Sequence, residues 1–342
     1  MHGCTRCRKI LVGIRMKYKA YLVEELNDIF TGSIKELDTP SVEDGNVLIK
    51  VHYSSLNYKD ALAATGVKGV VRGYPFVPGI DVAGEIIDSK SPDFKIGEKV
   101  IATGYKIGMS VFGGFGEIVH LPSKWLVKLP NELTLQESMR IGTAGITAAA
   151  CVKAICNANV TKKLPIIVSG ATGGVGSVAV NILSKLDYKV HALTSKENES
   201  NKLKKMGASS VINREKFMHD PIRPLDRAEY AGGVDTVGGD ILSKIISLIC
   251  HKGCVSCCGN VAGAKFTSSV FPFILRGVSL VGIDSAESDI LFKSELWNLL
   301  ANEWKINLED YSKVVSLEDI DIEIQKILNG QQVGRVVIKH EV

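Results

Sequence analysis

The sequence predicts an α/β protein made of a β-rich domain and a doubly wound parallel-sheet domain. Three observations carry that reading. The chain has 342 residues, enough for two cores at about 100–200 residues per domain. From residue 140 onward, strand-like and helix-like segments alternate, as in a parallel sheet covered on both faces. Upstream, short strands are separated by Gly, Pro and Asp turns.

Taken in order, residues 1–15 read as an extension outside the fold. Its apolar run, Ile10 to Ile14, spans five residues, whereas a secretory signal needs about 7–15. Lys17 to Val23 alternates as a first strand, which makes Met16 the natural initiator. Val47 to His52, Val82 to Ile87 and Lys99 to Ala102 follow as strands. Ile166 to Ser169 is a short apolar strand before the Gly-rich Ala171-Thr-Gly-Gly-Val-Gly176, and Ser177 to Leu186 is its helix. Next come a strand at Lys189 to Leu193, a helix at Asn201 to Met206, and strands at Ser210 to Ile212 and Val234 to Val237. A helix at Ile241 to Cys250 and strands at Val255 to Cys258 and Ser279 to Ile283 complete the alternation. Ser316-x-x-Asp319 caps a helix carrying Ile320, Ile324, Ile327 and Leu328, Gly330 stops it, and Val333 to Ile338 is a final strand. This tail returns to the first domain.

Composition excludes several functions. With 45% hydrophobic and 23% charged residues and a net charge of +4, the chain is not disordered. Six of its cations lie in the first twenty residues, leaving −2 for the rest. The body therefore has no nucleic-acid footprint. No apolar stretch approaches the roughly 20 residues of a membrane span. Cys4-x-x-Cys7 lacks the second pair of a structural zinc site. Cys250, Cys254, Cys257 and Cys258 read as core thiols, because successive side chains on a strand point to opposite faces and cannot converge on one ion. Unpaired thiols imply a reducing compartment, the cytoplasm.

The motif that carries chemistry is Ala171-x-Gly173-x-x-Gly176, between a strand and a helix. Glycines there admit a pyrophosphate close to the backbone, and the helix start offers it free N–H groups. Thr172, Gly173, Gly174, Val175 and Gly176 are the candidate binding residues. Some twenty residues on, an NAD site places a carboxylate; here stands Leu193-Thr194-Ser195-Lys196. Two hydroxyls and a cation suit a 2′-phosphate, so NADP(H) is the expected cofactor.

At these residues the chain resembles the medium-chain dehydrogenase/reductase superfamily, in its zinc-independent acrylyl-CoA reductase or quinone oxidoreductase branch. The resemblance rests on Ser54-Ser-Leu-Asn-Tyr-Lys-Asp-Ala-Leu62, Pro78-Gly-Ile-Asp-Val-Ala-Gly84, Ile141-Gly-Thr-Ala-Gly145 and Gly170 to Ala179. Val234-Asp-Thr-Val-Gly-Gly239, Phe271-Pro-Phe-Ile-Leu-Arg-Gly277, Gly282-Ile-Asp-Ser285 and Gly334-Arg-Val-Val337 complete it. It implies a GroES-like catalytic domain from residues 16–139 and 286–342, a Rossmann NADP-binding domain from 140–285, and a homodimer. It also implies NADPH-dependent reduction of a carbon–carbon double bond conjugated to a thioester, acrylyl-CoA to propionyl-CoA. Where zinc-dependent relatives carry Gly-His-Glu, this chain has Gly79-Ile80-Asp81, and residues 80–130 hold no cysteine lobe. Departures from the branch are Lys196 in place of Arg, Val111-Phe112 in place of His-Trp, and the segment Ala286 to Leu291.

Without a metal, the reaction needs hydrogen-bond donors aimed at the thioester oxygen. Tyr58 and Asn57 are the candidates. Tyr58 either positions the cofactor or relays a proton, and Asp60 either orients Tyr58 or caps a helix. Asp81 is read as structural. Gly259 and Asn260 join the cofactor set. Arg335 reaches the cofactor or a CoA phosphate, or else forms a surface ion pair. Two other activities stay open: quinone or enal reduction, and a cofactor-binding module without turnover.

Overall fold

The structure, a computed structural model, describes residues 17–341. Readings placed on residues 1–16, including the Cys4/Cys7 pair, the extension and the initiator, lie outside the described residues. The chain opens with a hairpin, β1 (Lys17–Leu26) and β2 (Ile29–Asp38). Asn27 and Asp28 make its two-residue turn with φ of 54° and 61°, the conformation that matches strand twist and suits these residue types. β3 (Asn46–Leu56), α1 (Tyr58–Ala64), β4 (Asp81–Ser89), β5 (Lys99–Thr103), β6 (Ile118–Pro122) and β7 (Leu126–Lys128) follow.

A long helix, α2 (Leu135–Asn157), leads into the alternating region. That region runs β8 (Ile166–Ser169), α3 (Gly174–Lys185), β9 (Val190–Thr194), α4 (Ser200–Lys205), β10 (Ser210–Asn213), α5 (Arg214–Met218), β11 (Tyr230–Asp235) and α6 (Gly239–Ser247). It continues through β12 (Ile249–Cys257), α7 (Phe271–Arg276), β13 (Ser279–Gly282) and α8 (Ile290–Ala301). The tail is β14 (Ser312–Ser316), α9 (Ile320–Leu328) and β15 (Arg335–Lys339).

Two larger sheets organise these elements. The six-stranded sheet is parallel in the order β10-β9-β8-β11-β12-β13, the doubly wound order whose switch point lies between β8 and β11. The seven-stranded sheet runs β14-β15-β3-β4-β5-β7 with β6 paired to β3. Its C-terminal strand β15 lies antiparallel to β3, so the tail does return to the first domain. Strand β3 shows why the sequence folds this way. Val47, Ile49 and Val51 enter one core and Leu48 and Leu56 another, the period of two made visible. Each such buried aliphatic side chain contributes about 1.5–3 kcal/mol.

Several boundaries differ from expectation. The helix read as Ile241 to Cys250 ends at Ser247, and the next strand starts at Ile249, six residues before Val255. The strand read to Val237 ends at Asp235. The helix read from Ser177 starts at Gly174, which places the motif glycines in its first turn. α2 corrects the reading that no apolar stretch approaches membrane length: among the described residues this one helix is long and apolar enough to cross a bilayer. Its apolar residues are instead buried against α3, α8 and both large sheets. Cys257 packs into the core beside α6 and Cys258 into the core beside α2 and α3, as strand alternation requires.

Candidate active site

The turn after β8 sits at the switch point, and its geometry depends on glycine. A Cβ on Gly176 would lie 2.3 Å from the Gly170 carbonyl oxygen. This residue therefore closes the turn against the helix. Gly173 is the N-cap of α3 and no side chain caps that end. The N–H groups of Gly174, Val175 and Gly176 thus have no acceptor within the helix, at the positive end of its twelve residues. Gly173, Gly174 and Val175 are all half-buried. This is a ready anion site.

Of the hydroxyls beside this turn, Thr194 meets Thr172 rather than Ser195. Thr172 Oγ1 and Thr194 Oγ1 lie 3.2 Å apart, both buried. The Lys196 backbone N–H donates to Thr194 Oγ1 (3.0 Å), and its ammonium donates to the Gln332 carbonyl (2.8 Å). Burial lowers the Lys196 pKa. Ser195 is exposed beside it. Gly259 and Asn260 lie past the C-terminal end of β12, against the β11–α6 turn, where a Cβ on Gly259 would meet the Thr236 carbonyl oxygen at 1.8 Å.

The second half of the site is a buried polar cluster. Asp81 opens β4 with no exposure. It accepts from Ser55 Oγ (2.5 Å), Asn57 Nδ2 (2.8 Å), Thr143 N (3.0 Å) and Thr143 Oγ1 (2.6 Å), and Arg335 Nη2 lies 3.6 Å away. Gly142 makes this possible by breaking α2 at φ 52°. A Cβ there would fall within 2.6 Å of Asp81, Arg335 and Ser55 atoms. The break is electrostatically matched to the ion pair. Arg335 Nε donates to the Arg140 carbonyl, at the end of the first half-helix. Asp81 receives the Thr143 N–H, at the start of the second.

Arg335 is 2% exposed, with Nη1 donating to Leu56 O and Asn57 Oδ1 and Nη2 to Ser55 Oγ. Each guanidinium nitrogen is engaged by protein. The readings of Arg335 as a surface ion pair, as a CoA-phosphate contact and as a direct cofactor contact are therefore all corrected: burial excludes the first, and the engaged donors exclude the other two. A Cβ on Gly174 would lie 3.2 Å from Arg335 Nη1, so this cation stands directly beneath the start of α3.

Asn57 is similarly occupied. Its Nδ2 serves Ser55 O and Asp81, and its Oδ1 accepts from Arg335, leaving the amide a positioning group. Asp60 is fully buried and accepts from the Asn57 and Ile80 N–H groups, both at 2.8 Å. It caps α1. Burial, with Asp81 nearby, pushes its pKa up to about 7. Tyr58, first in that helix, is 43% exposed, which removes it from the core as a packing residue. Among the described residues its hydroxyl has no hydrogen-bond partner.

Ser55, Thr143 and the central role of Asp81 escaped sequence reasoning. The only available signal was Gly142 within Ile141-Gly-Thr143.

A dinucleotide-type helix start beside a buried polar cluster from the β-rich sheet is the arrangement of a dehydrogenase/reductase. Family profiles agree: residues 43–131 match the alcohol dehydrogenase GroES-like domain and residues 174–302 the zinc-binding dehydrogenase domain. The chain belongs to the medium-chain dehydrogenase/reductase superfamily, in the branch of acrylyl-CoA reductases and quinone oxidoreductases, and is an oxidoreductase. It is 37% identical to the acrylyl-CoA reductase AcuI of Ruegeria pomeroyi over 90% of this chain and 93% of that one. Two crystal structures are similar. The yhdH oxidoreductase of Salmonella enterica in complex with NADP has 36% identity and TM-score 0.89, covering 94% of this chain and 99% of that one. The yhfP protein of Bacillus subtilis with NAD bound has 38% identity and TM-score 0.92, covering 95% and 99%.

The second profile carries zinc in its name, but the residues here do not fit that ion. Among the described residues no group of three His, Cys, Asp or Glu is arranged to hold a metal. The carboxylate of Asp81 is committed to Ser55, Asn57, Thr143 and Arg335.

Proposed function

We propose that this oxidoreductase is an NADPH-dependent reductase of α,β-unsaturated acyl-CoA thioesters, with acrylyl-CoA as the test substrate and propionyl-CoA as product. The carrying observation is the uncapped start of α3 placed over Arg335, which also holds Asn57, the residue before the exposed Tyr58. Thr172 to Gly176 would hold the pyrophosphate, and Thr194, Ser195 and Lys196 the 2′-phosphate, with Gly259 and Asn260 at the neighbouring strand end. NADPH bound there supplies the hydride. Arg335 adds positive potential below the phosphates without touching them. Asn57, Asp60 and Asp81 hold the start of α1, and so aim the Tyr58 hydroxyl, the free donor for the enolate oxygen or its carbon.

A second reading is quinone or enal reduction. It is favoured by Phe112, which is 38% exposed and packs edge-on against Phe76 at 5.4 Å, an exposed aromatic of the kind on which a flat ring stacks.

The active form we infer is a homodimer. β13 is an edge of the parallel sheet, and α7 next to it exposes Phe271, Ile274 and Leu275, a pairing edge and apolar patch of the kind proteins cover. The free thiols suit the cytoplasm.

The test is NADPH oxidation at 340 nm with acrylyl-CoA, beside a simple quinone and NADH. Turnover of acrylyl-CoA with NADPH supports the reading. Turnover with quinone alone overturns the thioester assignment, and binding without turnover identifies a cofactor-binding module.

A further inference from the structure

Lys293 on α8 is 1% exposed, and its ammonium is held by carbonyls and a ring. Nζ donates to Thr103 O at the end of β5 (2.7 Å) and to Ala286 O (2.8 Å). It also sits 3.4 Å from the centre of the Tyr105 ring. Tyr105 makes the same connection by its own atoms, its N–H donating to Ala286 O (2.9 Å) and its hydroxyl to Ser288 O (3.0 Å). Gly104 permits the approach, since a Cβ there would lie 2.8 Å from Ala286 Cα. Burying a lysine is costly unless its donors are met, and here they are met between the end of β5 and the segment that follows β13.

What is held matters for the site. Residues 284–288 continue from the C-terminal end of β13, the side on which a doubly wound sheet takes its ligands. Ser285 Oγ meets Thr147 Oγ1 at 2.6 Å, Thr147 Oγ1 donates to Thr143 O (2.7 Å), and Thr143 holds Asp81. The segment therefore stands between the Lys293 tie and the cluster that fixes Asn57.

We propose that Lys293 is a positioning residue of the substrate crevice: by tying Ala286 to Thr103 it fixes the 284–288 wall, and so governs KM more than kcat. The proposal rests on the reductase reading above. The charged groups acting on the ammonium are Glu287 and Asp284 on the segment and Asp81 on β4, with the Tyr105 ring against it; Asp289 and Glu287 act on Tyr105, and Lys106 pairs with Glu287 at 2.7 Å. Burial pulls the Lys293 pKa down to about 8, against the opposing pull of Glu287, Asp81 and Asp284. The Tyr105 hydroxyl is pushed up and stays neutral there. The charged tie is thus fully present well below pH 8, half lost near it and lost above it.

The experiment uses the full chain as wild type, Lys293→Arg and Lys293→Met. In wild type, 1/KM for acrylyl-CoA falls above about pH 8, while Lys293→Arg holds it level because a guanidinium stays charged. Lys293→Met raises KM about fivefold at neutral pH with kcat within about twofold, and lacks the break. A readout without substrate accompanies this, because Trp125 stacks on Tyr105 at 5.4 Å. Tryptophan fluorescence of wild type titrates with a midpoint near 8, and that transition is absent from both variants. An unchanged fluorescence transition in Lys293→Arg, or an unchanged KM in Lys293→Met, overturns the proposal. A Lys293-dependent transition without acrylyl-CoA turnover supports the tie and instead faults the reductase reading.

Discussion

Replacing Asp81 by Asn tests whether the polar cluster acts as one unit. The carboxylate has no exposure and gathers Ser55, Asn57 and Thr143 donors around its two oxygens, beside Arg335. An amide keeps one acceptor oxygen and turns an NH₂ toward those donors. It also leaves the buried Arg335 cation without its nearest counter-charge, with Asp60 the remaining carboxyl. Removing one partner of a buried pair costs about 3–5 kcal/mol. At about 2–4 °C per kcal/mol for domains of this size, the melting temperature should fall by roughly 10 °C. The same change frees the Asn57 amide and so the start of α1. A misplacement near 1 Å costs about a hundredfold in kcat/KM. The double variant Asp81→Asn/Arg335→Met removes the orphaned cation. It should therefore cost less than the sum of its singles, by about 0.5–3 kcal/mol. Thermal melting and steady-state kinetics on all four proteins make the cycle. A melting temperature within about 2 °C of wild type for Asp81→Asn, or strictly additive singles, would refute the reasoning.

Other predictions follow from single contacts. Asp60 has its folded pKa raised to about 7, so the folded state binds a proton the unfolded state has already released. Its contribution is fullest below about pH 4 and is lost as pH rises toward 7. Asp60→Asn should gain melting temperature relative to wild type across that window, and a pH-independent difference would count against the assignment. Lys196→Ala should weaken NADPH binding about tenfold or more, a charge-assisted hydrogen bond being worth about 1.5–3 kcal/mol, and leave NADH unchanged in titration calorimetry. Equal loss for both cofactors would place Lys196 elsewhere. For the proposed homodimer, Ile274→Glu with Leu275→Glu should yield a monomer in sedimentation velocity where wild type sediments as a dimer, since both side chains are exposed on α7. A dimer that persists would exclude that face.

How much of this was legible depends on whether a feature is local. The turn from Ala171 to Gly176 is local: strand, glycines and helix occupy consecutive residues, and backbone geometry alone demands the glycines. Thr194 and Lys196 are local too, one strand further on, but the tie of the Lys196 ammonium to the Gln332 carbonyl spans the chain and was not legible. α2 was not. Its buried residues are mostly Ala, Gly, Thr and Ile on all sides of the helix, so no polar face gives it a period, and Gly142 breaks it where a helix reading would stop. α8 hid Lys293 within Ile290-Leu-Phe-Lys-Ser-Glu-Leu-Trp297, where a lysine reads as the solvent face.

Arg335 shows why the cluster itself had to wait for the structure. Its reach is set by a strand register rather than by neighbours in sequence. β15 pairs with β3 so that Val336 faces Leu56 and Val337 faces Ser55, which sets Arg335 beside Asn57 across about 280 residues of chain. A one-residue slip would turn the guanidinium to the other face of the sheet, toward the core of Leu56, Val336 and Ile338, where no partner awaits a charge. The ion pair with Asp81 therefore acts as a register lock as well as an electrostatic floor for α3. Of the two partners, Arg335 is the one whose removal should most damage the pairing of β15 with β3, and Asp81 the one whose removal should most displace Asn57. Hydrogen exchange on Val336 to Ile338, compared between Arg335→Met and Asp81→Asn, separates the two roles: faster exchange in the first than in the second is expected, and the reverse order would assign the lock to Asp81.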